Sequence, residues 1–135
     1  MSEILPLAKE KINGVPEFIG IAGYSLAGLF ALYALYKTDV FTRVASMSGS
    51  LWFPGIKEFC KENTMKILPE KLYLSIGDKE SKTRHPILQT MQENTEDLLK
   101  YFKSMGIETT YEVNPGNHFQ DVYLRCAKGI LELLQ

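Results

Sequence analysis

The sequence predicts an α/β fold in which a mostly parallel sheet of about four strands carries helices on both faces. Three observations lead there. Short runs rich in β-branched and aromatic residues alternate with longer helix-forming segments, in the order β, α, β, α, β, α, β, α. Each strand-like run stops at a turn built from Gly, Ser or Asn-Pro-Gly. No repeat, low-complexity tract or linker interrupts the alternation, so the 135 residues read as one domain, 1–135.

Residues 18–22 are the first strand, with β-branched Ile19 and Ile21. The stretch Gly23-Tyr24-Ser25-Leu26-Ala27-Gly28 then turns straight into a run of helix formers that begins at Leu26. Small Gly23 and Ala27 flank Ser25 two residues away on either side, as a strained turn with closely approaching strand and helix backbones requires. Residues 18–36 carry no charge and are about long enough to cross a bilayer, so a membrane span is the rival reading. The β-branched start, the Gly/Ser break and the later helix formers divide the segment into two elements instead. The second is a helix apolar on all sides, which suits burial in the middle of the domain.

After the helix ends near Lys37-Thr38-Asp39, residues 41–47 form a strand closed by the turn Ser48-Gly49-Ser50. Trp52-Phe53-Pro54-Gly55 is a loop before a short helix over 56–61. Residues 71–76 are the clearest alternating strand, stopped by Gly77. Pro86 opens a long helix in which Leu88, Met91, Leu98, Phe102 and Met105 recur at three- and four-residue steps, and Gly106 ends it. The last strand covers 107–113 and the last helix 118–134, with Val122, Cys126, Ile130 and Leu134 on one face.

Composition narrows the function classes. A formal net charge of -1 gives no electrostatic footprint for nucleic acid, and Lys79, Lys82 and Arg84 are interleaved with Asp78 and Glu80 as in a solvated loop. The N-terminus lacks the basic-then-apolar order of a signal peptide, which makes a cytoplasmic location the default expectation. Cys60 and Cys126 lie far apart without metal-ligand companions and read as buried reduced thiols.

Right-handed crossovers put the C-terminal ends of all strands on one edge of the sheet, and ligands bind outside that edge. Three polar signals fall there: Ser25, then Gly77-Asp78-Lys79-Glu80, then Asn114-Pro115-Gly116-Asn117-His118. Serine, acid, histidine is the chain order of α/β-hydrolases. A neutral serine is a poor nucleophile and needs a histidine to take its proton; that histidine needs an acid to fix its tautomer. His118 sits where such a base belongs, the bland alternative being a helix-entry histidine bonded to solvent. His85 follows Glu80 by only five residues and precedes the long helix, as a surface residue would. Glu80 takes the place of the acid in the Gly-x-x-Asp turn that many hydrolases carry after this strand. Asp78 stays open, either as the acid or as a residue that caps its own turn.

Gly23-Tyr24-Ser25-Leu26-Ala27-Gly28-Leu29-Phe30, Ser46-Met47-Ser48-Gly49-Ser50-Leu51-Trp52, Leu74-Ser75-Ile76-Gly77-Asp78-Lys79-Glu80 and Gly116-Asn117-His118-Phe119 together resemble the esterase family that includes enterobactin-type siderophore esterases and is related to esterase D. Ala27 departs from the usual second glycine of the serine turn. The resemblance implies Ser25 as nucleophile, His118 as base, Glu80 as acid and the N–H of Leu26 as one oxyanion donor. It also implies that Trp52 and Tyr24 contact a small-molecule ester, with a core plug as the other reading of Trp52. No cofactor or metal is implied, and acyl transfer to an alcohol would use the same residues as hydrolysis.

Members of that family carry several strands and helices ahead of the serine strand, whereas residues 1–15 precede it here, of which 4–12 resemble the end of the incoming helix. The expectation is the C-terminal half of an α/β-hydrolase. Its serine strand would lie at a sheet edge, a template for pairing that predicts a homo-oligomer. The second oxyanion donor normally comes from the front half, so a partner chain or the turn over 48–51 would have to supply it. The alternative reading is a non-catalytic remnant or interaction domain, or a fragment of a longer esterase.

Overall fold

Four parallel strands lie side by side in chain order in a computed structural model that describes residues 3–135; Met1 and Ser2 of the expected 1–135 domain lie outside the described residues. They are β1 (Gly20–Tyr24), β2 (Arg43–Met47), β3 (Lys71–Gly77) and β4 (Glu108–Asn114). The helices are α1 (Ile4–Lys9), α2 (Leu26–Ala34), α3 (Ile56–Glu62), α4 (Pro86–Gln89), α5 (Met91–Ser104) and α6 (Val122–Leu134). The register aligns Tyr24, Met47, Ser75 and Glu112 across the sheet, so the C-terminal ends of the strands form one edge.

Burial follows from the two-residue period of the strands. On one face Val44, Leu72 and Leu74 pack with Leu32 and Leu35, which lie on and just after α2, and with Leu98 and Phe102 of α5. On the other, Ala45, Met47 and Tyr73 meet Leu133 of α6. Strands β2 and β3 are covered on both sides, which explains their nearly continuous apolar runs. Each fully buried leucine of this core contributes on the order of 2 kcal/mol.

Several expectations are corrected. The long helix expected from Pro86 breaks at Thr90, whose hydroxyl and N–H both donate to the Ile87 carbonyl and tighten the turn between α4 and α5. Gly106 does end α5, at φ 81°: Ile107 N–H donates to the Phe102 carbonyl and Gly106 N–H to that of Lys103. The last helix starts at Val122, not His118, because Phe119 N–H bonds the Asn117 side chain and Asp121 turns left-handed at φ 54°. Its buried face is Arg125, Gly129 and Leu133, whereas Ile130 and Leu134 are 48% and 63% exposed. Gly129 decides this, since a Cβ there would overlap Met47.

The uncharged 18–36 stretch is split between β1 and α2, and no helix among the described residues is long and apolar enough to cross a membrane. Helix α2 is not buried on all sides: Gly28, Ala31 and Leu32 face inward, but Leu26 and Phe30 are 65% and 52% exposed. Cys60 is buried, which pushes its thiol up to about 11, while Cys126 is only half-buried.

Candidate active site

Ser25 stands between β1 and α2 with φ 58° and ψ -122°, a conformation that L-residues avoid unless the surroundings enforce it. Tight packing does the enforcing. A Cβ on Gly23 would overlap the Ala27 carbonyl, and one on Gly28 would lie 2.9 Å from both the Gly23 oxygen and the Gly49 Cα. Ala27 is exposed, so its extra methyl meets no such limit. Ser25 N–H donates to the Met47 carbonyl at 3.0 Å, tying the turn to β2. The Ser25 side chain makes no cap bond to α2, which leaves its hydroxyl free to point elsewhere. Leu26 is the first residue of α2, where an N–H has no intrahelical acceptor.

The loops after β3 and β4 are laced together. Asp78 N–H donates to the Asn114 carbonyl and Lys79 N–H to that of Gly116, while Gly116 N–H donates to Asp78 Oδ1 at 2.7 Å. Gly116 is needed at φ 102°, where an L side chain would be strained and a Cβ would strike Gln120. This lacing carries His118 over Glu80 and Ser25.

His118 Nε2 lies 2.9 Å from Ser25 Oγ, and His118 Nδ1 lies 2.7 Å from Glu80 Oε2. The other carboxylate oxygen, Oε1, accepts from Ser48 Oγ at 2.6 Å, Gly77 N–H at 2.7 Å and Arg125 Nη1 at 2.8 Å. An ionised carboxylate only accepts, so His118 donates from Nδ1 and its Nε2 lone pair faces the serine hydroxyl. Burial by itself would raise the Glu80 carboxyl; hydrogen bonds from His118, Ser48 and Gly77, with the histidine charge, outweigh it and hold the group below the usual carboxylate range.

Beside Ser25 and His118 opens a cavity of about 220 Å³ walled by Trp52, Leu88, Met91 and Phe119. Trp52 is half-buried there and is not a core plug. Tyr24, expected at the substrate, takes a different place: its hydroxyl donates to the His118 carbonyl at 2.8 Å and accepts from Arg125, and its ring stands 5.4 Å from the imidazole. Asp78 bonds the Gly116 backbone, and His85 is exposed ahead of α4; neither reaches the serine. In the turn over 48–51 the N–H groups of Ser48, Ser50 and Leu51 donate to the Ser75, Ser25 and Gly49 carbonyls and are not offered to an oxyanion. A larger apolar groove of about 560 Å³ runs between α2 and α3, lined by Leu26, Phe30, Tyr33 and Phe53, away from Glu80 and His118.

Arg125 escaped the sequence reading. It is 1% exposed and reaches Glu80, Ser48, Tyr24 and the carbonyls of Pro115 and Asn117. Its signal was the spacing Arg125, Gly129, Leu133, one residue per helical turn on the face where the small glycine allows contact.

Comparison with known proteins agrees with this architecture. The chain is 28% identical over 108 residues to the uncharacterized protein YbbA of Bacillus subtilis (strain 168), a match covering 78% of this chain and 43% of that protein. The enterochelin esterase of Shigella flexneri superposes with a TM-score of 0.75 at 25% identity over 98% of this chain and 35% of its own. The siderophore hydrolase EstB of Aspergillus nidulans has the same fold, with a TM-score of 0.66 at 21% identity over 95% of this chain and 53% of its own. The chain thus spans about half, or less, of the length of these relatives. The family model described as "Putative esterase" matches residues 1–123, and with the four-stranded α/β-hydrolase architecture this means that the chain belongs to that esterase family.

Proposed function

We propose that this chain carries the reacting groups of a serine ester hydrolase. The observation that supports it best is the continuous chain of hydrogen bonds from Glu80 Oε2 through both nitrogens of His118 to Ser25 Oγ. In this reading Ser25 Oγ attacks the ester carbonyl as His118 Nε2 takes its proton, giving a tetrahedral intermediate. His118 then hands that proton to the departing alcohol, which leaves the acyl group on Ser25. Water, deprotonated by the same nitrogen, releases the acid and restores the serine. Glu80 keeps the imidazole in the Nδ1–H tautomer and stabilises the imidazolium. The N–H of Leu26 donates to the developing oxyanion, and Trp52, Leu88, Met91 and Phe119 shelter an apolar part of the substrate. The likeness to the Shigella enterochelin esterase makes a siderophore ester the first natural substrate to assay.

Turnover of a short p-nitrophenyl ester by the wild-type chain and by Ser25→Ala tests the reading. A loss of about three powers of ten or more in the variant is expected from the behaviour of other triads. Activity retained in Ser25→Ala would sink it.

One observation favours a second reading, a domain that keeps the site but turns over little. Three of the four N–H groups of the turn over 48–51 donate to backbone carbonyls, and a missing oxyanion donor costs about 10²–10³ in rate. Folded wild-type protein that reacts with a fluorophosphonate yet turns over esters only at a trace rate would support it. We further propose that β1, paired only with β2 among the described residues, is the edge through which two copies associate.

A further inference from the structure

We propose that Arg125 is a positioning residue for the Ser25–His118–Glu80 site, a proposal that rests on the esterase reading. The guanidinium is buried beneath the site and divides its contacts between the two things that must be aligned. Nη1 donates toward Glu80 Oε1 at 2.8 Å, Tyr24 OH at 3.0 Å and Ser48 Oγ at 3.1 Å. Nη2 donates to the carbonyls of Asn117 at 3.0 Å and Pro115 at 3.1 Å, in the loop that ends at His118. One planar fork thereby sets the acid against the histidine that the acid must meet.

Two features make the clamp specific. Because Oε1 of Glu80 is filled by Arg125, Ser48 and Gly77, Oε2 is the oxygen presented to His118. Tyr24 closes the ring, since it accepts from Arg125 and donates to the backbone carbonyl of His118 itself. A lysine at 125 would keep the charge beside Glu80, but a single ammonium lacks the flat, two-armed geometry that spans from the carboxylate to the Pro115 and Asn117 carbonyls.

The test compares wild type, Arg125→Lys, Arg125→Met and Ser25→Ala in three readouts: p-nitrophenyl ester kinetics, the rate of fluorophosphonate labelling, and the downfield proton resonance of His118 Nδ1–H. In Arg125→Lys, kcat falls about 10²-fold with KM little changed, as misalignment of reacting groups requires, and the Nδ1 proton resonance broadens or moves upfield. Arg125→Met, where near-ultraviolet circular dichroism shows it folded, loses the resonance and labels more slowly than Arg125→Lys. If Arg125→Met does not fold, Arg125→Lys alone decides. A lysine variant with wild-type kcat and an unmoved resonance would overturn the proposal. Absence of labelling in the wild type would instead overturn the esterase reading, and the resonance would still report on whether Arg125 holds Glu80 against His118.

Discussion

Glu80 shows how one side chain couples folding to the proposed chemistry. Its folded carboxyl is held below the usual range by the donors around it, so the ionised form stabilises the native state. A depressed carboxyl gives stability that is fully present above the unfolded value of about 4.3 and is lost as pH falls through the lower folded value. Urea midpoints should therefore fall with acid below about pH 4.3, and Glu80→Gln should flatten that dependence while lowering stability near neutrality. An identical acid limb in the variant would contradict the assignment. Gly23 makes a second residue-scale prediction: Gly23→Ala drives a methyl into the Ala27 carbonyl, where backbone rather than side chain must yield, and should cost about 3 kcal/mol or more in chemical denaturation. At this scale the sequence was legible where chemistry restricts the residue type. Gly23 before Ser25, and the order Ser25, Glu80, His118, could be read from residue identity and spacing, whereas the second crowded position is Gly28 and not the exposed Ala27. Arg125 was missed despite its spacing to Gly129 and Leu133, because an arginine on an apolar helix is ordinarily read as solvent-facing, and the fold is what reveals the anion and carbonyls beneath it.

Among the elements, strands were easier to locate than helix faces. Residues 71–76 alternate and stop at Gly77, and β3 covers that stretch to within one residue. Helix α6 misled because its apolar stripe ends in Ile130 and Leu134, which are exposed, while the buried face carries Arg125 and Gly129 with Leu133. Its docking is settled by tertiary contacts that no periodicity records: Gly129 against Met47, and the Leu133 carbonyl accepting from Arg43 at 2.7 Å. Opposite outcomes are expected for the two faces. Leu133→Ala should lose about 2–4 kcal/mol of stability by leaving a cavity under α6. Ile130→Lys should change it by no more than about 0.5 kcal/mol in the same urea titration. Equal losses would return the buried face to the apolar stripe. The break at Thr90 was hidden for a related reason, since a threonine inside a periodic run gives no sign that its hydroxyl will take the Ile87 carbonyl.

At the largest scale, the four strands of the described residues place β1 at one margin of the sheet. Among the described residues β1 pairs with β2 alone, Gly20 and Ala22 are exposed along it, and Leu26 and Phe30 of the adjoining helix are open to solvent. Backbone N–H and C=O groups at such an edge pair readily with another strand. Sedimentation at micromolar concentration should show reversible self-association through this edge, and a monodisperse monomer would rule the association out. This chain spans 53% and 35% of the length of the two solved esterases it superposes on. Whether the serine is armed in this chain is the question on which the proposed function turns. The most direct measurement is labelling of the folded chain by a fluorophosphonate probe, with the modified residue located by peptide mass mapping. Covalent modification of Ser25 alone is expected, abolished in Ser25→Ala and slowed at least about 10²-fold in His118→Ala. An unmodified Ser25 in protein shown to be folded, or labelling that persists unchanged in His118→Ala, would contradict it.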